Sequence, residues 1–147
     1  MNIAIPLEQF NINNVFFQDA IKNTIMNDSN FIRVIYSNEL LMINGLCLEF
    51  NLPILHVDKS FNKYKCTFDN KLANTTIQNI NKLEYDILSK YEFKDKQAVC
   101  RINEQLKNNM IKVTNINNPN INTFLIKISG IWCTELEYGL TYKFSHI

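Results

Sequence analysis

Glycine and proline are scarce in this sequence, with three of each among 147 residues. So few glycines cannot build a phosphate-cradling loop or a dinucleotide fingerprint, because both need clustered glycines so that backbone amides reach the ligand. Collagen-like repeats and proline-rich linkers are excluded on the same ground. Histidine is rarer still. His56 and His146 are the two imidazoles, and neither has the spacing of a metal-ligand or HExxH motif. No apolar run approaches the ~18 residues of a membrane-spanning helix, and the opening Met1-Asn2-Ile3-Ala4-Ile5-Pro6 has neither a charged nor an apolar leader region. A soluble, intracellular protein is expected, not a secreted one.

The chain is rich in asparagine (23), isoleucine (20) and lysine (13, against two arginines). These are residues that an A+T-rich genome over-supplies, and a virus, an intracellular parasite or a low-G+C bacterium would each fit. With 46% hydrophobic residues, a chain of this length can bury one ordinary globular core. Net charge is +1, but it is unevenly spread: residues 1–58 hold two basic groups against six acids, and residues 59–112 hold eleven against six. That asymmetry fits a basic face or a solvated helix surface. Cys47, Cys66, Cys100 and Cys133 include no CxxC pair and lie in apolar stretches, as reduced core thiols do. A Cys47–His56 nucleophilic pair is open on sequence alone, yet no nucleophile-elbow signature accompanies it. No catalytic constellation, metal site or cofactor site emerges, and a non-enzymatic protein is expected.

Apolar alternation points to a mostly β chain. Phe31 to Tyr36 reads as a strand, and Leu40 to Phe50 as a longer apolar run broken at Asn44-Gly45 by a turn or a bulge. Lys63-Tyr64-Lys65-Cys66-Thr67-Phe68 alternates strictly. Asn74, Thr75 and Thr76 offer N-cap oxygens to a helix over about residues 75–91, whose apolar stripe is broken only by Glu84. Gln97 to Asn109 fits either a helix or a strand with a loop, and Asn115 to Asn122 reads as a polar loop. Thr123 to Cys133 is the longest strand signal, with Gly130 placed for a bulge or a close backbone approach. Tyr138 to Phe144 completes a C-terminal hairpin.

Binding is the chemistry that remains. Single-strand nucleic-acid binders join a positive track to aromatic rings on which bases stack. The candidate residues are Arg33, Lys63, Tyr64, Lys65, Lys127, Trp132, Tyr142 and Lys143. Rings on an alternating strand more often belong to the core, and Trp132, seldom completely buried as a residue type, is the best compromise.

Ile126-Lys127-Ile128-Ser129-Gly130-Ile131-Trp132, a short polar turn, and Tyr138-Gly139-Leu140-Thr141-Tyr142-Lys143-Phe144 together resemble the closing hairpin of a protein family of large DNA viruses. That family is similar to the single-stranded DNA-binding proteins of podophage replication. The resemblance is specific over about 22 residues and architectural elsewhere. It implies a single OB-fold-like domain over residues 1–147, a small antiparallel barrel with one clear helix. It also implies single-stranded DNA, or RNA, as ligand, with a role in replication or repair in the host cytoplasm or at a viral replication site. A second copy of the chain and viral replication or assembly proteins are the implied protein partners. The podophage proteins carry an acidic tail, which Lys143-Phe144-Ser145-His146-Ile147 does not supply. The alternative is an interaction protein that keeps the fold and binds a protein instead.

Overall fold

A computed structural model describes residues 3–23, 25 and 28–147. The strands are β1 (Ile5–Pro6), β2 (Val15–Phe17), β3 (Ile21–Lys22), β4 (Asn30–Ser37), β5 (Met42–Asn44), β6 (Leu46–Asn51), β7 (Ile54–Ser60) and β8 (Lys63–Phe68). Helix α1 (Asn74–Tyr91) follows, then β9 (Gln97–Val99), a short helix α2 (Arg101–Leu106), β10 (Met110–Val113), β11 (Thr123–Cys133) and β12 (Glu137–His146). No helix among the described residues is long and apolar enough to cross a membrane.

The strands form one mixed sheet whose main path runs β1-β6-β11-β12-β10-β8-β7; β4 joins β11 and also pairs with β2, β3 and β5, while β9 joins β12. Its two ends, β1 and β7, do not pair with each other. The sheet is therefore open, and the closed antiparallel barrel expected from the sequence is not what the backbone forms. Three ladders are parallel as well: β1 with β6, β10 with β12, and β9 with β12.

β11 is the central strand. Its first half pairs with β6 from Thr123 to Ile128, and its second half pairs with β4 from Gly130 to Cys133. The change of neighbour falls at a bulge, where the register against β12 steps from Ile128–Tyr142 to Gly130–Thr141 and leaves Ser129 extra. A bulge bends its strand and raises local twist, and that bend lets one strand serve two neighbours. A Cβ on Gly130 would lie 2.2 Å from the Ile32 carbonyl oxygen and 2.7 Å from the Phe31 ring, so backbone closeness requires glycine there. At Asn44-Gly45 the chain kinks from β5 into β6; the actual turn lies earlier, where Asn38 Oδ1 accepts from the amides of Leu40 and Leu41 at 2.8 and 3.0 Å.

The strands' period-two pattern sorts side chains onto an inner and an outer face. Cys66, Phe68, Ile111, Val113, Ile126, Ile128, Leu140 and Phe144 point inward into one core with Ile77, Ile80, Leu83, Ile87 and Leu88 of α1. The N-cap of α1 is Ala73, which offers no side-chain acceptor, so the asparagine and threonines that looked like caps lie inside the helix. Gln97 to Asn109 resolves into both expected alternatives, a short strand and then a short helix.

Glu84 is the exception in the apolar stripe of α1, and it is only 1% exposed. Its carboxylate accepts from the backbone amides of Ile102 and Asn103, both at 2.9 Å. A helix starts with amides that have no intrahelical partner, and Cys100 at the N-cap of α2 supplies no side-chain bond. Glu84 caps α2 from another helix. Burial raises its pKa, the two amide hydrogen bonds oppose that shift, and Glu104 adds to the rise.

Two outcomes follow for stability. Gly130→Ala should cost about 3 kcal/mol in urea denaturation, because the added carbon must displace backbone. Glu84→Ala should cost roughly 2–4 kcal/mol by leaving two buried amides unpaired. A raised folded-state pKa means the unfolded chain releases its proton first. Measured against Glu84→Gln, the natural protein should therefore lose stability as pH rises from below 4.5 through the raised value.

Candidate nucleic-acid interface

The outer face of the sheet carries its lysines in register. On β11, Lys127 lies between the inward Ile126 and Ile128, and on β12 Lys143 lies between the inward-facing Tyr142 and Phe144. Lys127 and Lys143 are direct cross-strand partners. Val113 pairs with Phe144 in the parallel ladder, which sets Lys112 beside Lys143. Lys112 in turn is the direct partner of Lys65 on β8. Four lysines thus follow one another across β11, β12, β10 and β8 on one face. At ~4.8 Å between strands the row is about 14 Å long.

Among the described residues no close ion pair involves this row. The ion pairs among the described residues are His56–Asp58 and Lys82–Asp86, and neither involves it. Acids stand at its two ends. Asp58 is the cross-strand partner of Lys65 but bonds His56 at 2.8 Å. At the other end Lys127 faces Cys47, with Glu49 two residues further along β6. Like charges placed directly opposite destabilise a sheet, so the row is a standing electrostatic cost that an anion would relieve.

The remaining sequence candidates distribute differently. Lys63 is exposed at the start of β8, two residues from Lys65 on the same face. Arg33 is also outward and exposed, but it sits on β4 opposite Gly130, off the cross-strand line of the four lysines. Its guanidinium lies 6.0 Å from the Phe31 ring. The two line a hollow of about 380 Å³ with Lys22, Ser129 and Thr141.

The rings do not form the expected stacking platform. Trp132 is 3% exposed. It lies on the outer side across Gly139, where a Cβ would come within 2.8 Å of the indole, and the Arg101 guanidinium covers it 4.5 Å from the ring. Tyr142 packs against the core, and its hydroxyl donates to Gln105 Oε1 at 2.8 Å. Burial, then the negative charge of Glu84, raises its pKa. Tyr64 also packs inward, with the Lys59 ammonium 5.8 Å from its ring. Trp132 is thus covered, and Tyr142 and Tyr64 are half-buried against the core.

Lys112 is the member of the row that sequence reasoning missed. Its signal was present, since Ile111-Lys112-Val113 repeats the apolar–lysine–apolar pattern that marks Lys127. What sequence could not supply was the β10–β12 pairing.

Cys47, Cys66, Cys100 and Cys133 are free thiols, and burial pushes Cys66 up to about 11. Cys47 and His56 stand on β6 and β7, with β11, β12, β10 and β8 between those strands along the sheet path. Among the described residues no three His, Cys, Asp or Glu side chains gather to hold a metal ion. Compared with known proteins, the chain matches no family model, no curated protein and no solved structure.

Because Lys143 has a lysine on each side, Lys143→Glu should stabilise the free protein by roughly 0.5 kcal/mol, measured as a higher urea midpoint at low salt. A lower midpoint would mean that the row is not a source of repulsion.

Proposed function

We propose that this protein binds single-stranded nucleic acid, with the outer-face lysine row as its phosphate track. The observation that carries the reading is the register of Lys127, Lys143, Lys112 and Lys65. Four adjacent strands each contribute one cation, none in a close ion pair, to a single line. A flexible strand can lay successive phosphates along such a line, releasing counterions as it does so. The contacts would be sequence-independent, because phosphate carries no base information. Lys63 extends the basic surface at one end. The site lies on the face of an open sheet, so the reading does not depend on a closed OB barrel. DNA replication or repair as the setting rests on the resemblance of the C-terminal hairpin alone.

A labelled oligo-dT titrated across a salt series tests the proposal. Four phosphate contacts on a single strand predict a log–log slope of about −3. Reversing Lys127 and Lys143 together to Glu should nearly abolish binding, whereas reversing Lys71 and Lys94, which lie outside the row, should have little effect. An affinity indifferent to salt, or equally sensitive to all four positions, would contradict the phosphate track. Binding of a protein partner through this face, with no affinity for oligo-dT, would instead support the interaction-protein alternative.

A further inference from the structure

The β7–β8 hairpin ends in a two-residue loop, Phe61-Asn62, between the paired Ser60 and Lys63. Phe61 is 97% exposed. It also adopts φ 54°, in the left-handed region, where a bulky side chain is a genuine outlier. With Asn62 at ordinary negative φ, Phe61 occupies the first central position of the loop, which tight hairpins of this kind give to glycine. A large apolar ring is therefore held fully in water on a backbone that disfavours it. Strain of this sort persists mainly where function uses it.

The neighbours of the ring show what it suits. Ser60, Asn62, Lys63, Lys65 and Lys112 surround it and line a shallow hollow of about 310 Å³. All are polar or basic, so the ring is not part of an apolar docking patch. Lys65 and Lys112 are the terminal half of the lysine row, so the hollow opens where the proposed phosphate track ends. A flat apolar face beside cations matches a nucleotide, whose base has a π-face and whose phosphate has charge. A paired base cannot present that face, because its neighbours in the stack cover it.

We infer that Phe61 is the base-stacking residue of this site and gives it preference for single strands over duplex. The inference rests on the reading of the lysine row as a phosphate track. The ring is fully exposed where Trp132 is covered and Tyr64 and Tyr142 are packed against the core.

Binding and melting measurements on the full chain and its Phe61 variants test this. Phe61→Ala should weaken binding to oligo-dT about tenfold, leave the salt slope unchanged, and narrow the gap between single-stranded and duplex ligands. Phe61→Trp should retain affinity, and its added indole fluorescence should quench on binding, while Trp132 stays covered by Arg101. Phe61→Gly removes both the ring and the strain. It should raise Tm by about 2–4 °C while losing about the same affinity as the alanine variant. The alanine and tryptophan variants keep the test decisive if the glycine variant folds poorly. Unchanged oligo-dT affinity in Phe61→Ala, with Lys143→Glu still defective, would overturn the stacking role and leave the phosphate track standing. An equal loss for single strand and duplex would also overturn it. A natural protein that binds neither ligand at low salt would overturn the track, and the stacking role with it.

Discussion

The carboxylate of Glu84 is the contact on which the placement of α2 depends. It is charged chemistry inside an apolar helix stripe, and its two acceptors close the amides of Ile102 and Asn103. Without it, α2 would begin inside the protein with unpaired donors and no local cap. The helix it secures has three attachments to the sheet. Arg101 at its start lies over Trp132, Gln105 receives the Tyr142 hydroxyl, and the chain leaving its end enters β10, which carries Lys112. A buried acid on one side of the sheet thus anchors the helix whose Arg101 covers Trp132 on the other. The burial of an acidic group has a cost, and the raised pKa of Glu84 expresses it.

The same period-two alternation that builds the core also produces the lysine row. A residue between two inward apolar side chains must point outward, and that geometry places Lys127, Lys143, Lys112 and Lys65 on one face. Pairing register then converts four isolated positions into a line. The bulge at Ser129 separates this line from Arg33, because it is there that β11 leaves β6 and takes up β4. Two outer surfaces result, a lysine row on one side of the bulge and a hollow around Phe31 and Arg33 on the other.

Much of this was legible in the residue pattern. The strand Thr123–Cys133 and the helix ending at Tyr91 were marked by periodicity, and Lys127, Lys143 and Lys65 by their alternation with apolar neighbours. Long-range pairing was not legible. The β10–β12 ladder joins Val113 to Phe144 across 30 intervening positions of sequence, and nothing local announces a parallel contact so brief. Nor does spacing reveal which rings are covered. Trp132 sits on the outer side, as its exposure as a residue type suggested, yet Gly139 and Arg101 enclose it. Glu84 stood out as a break in an apolar stripe, but its role as a cap depends on α2, whose helical state the sequence left ambiguous. Phe61 carried no signal because turn chemistry there would ordinarily demand glycine.

The main path of this open sheet ends in two border strands, β1 and β7, each a template for a further strand from another molecule. In this chain both are blunted. β1 is only two residues long and ends in Pro6, which has no amide to offer. β7 has an irregular register between Ile54 and His56 and exposed charges at Asp58 and Lys59. These features discourage edge-to-edge pairing at both ends of the main path.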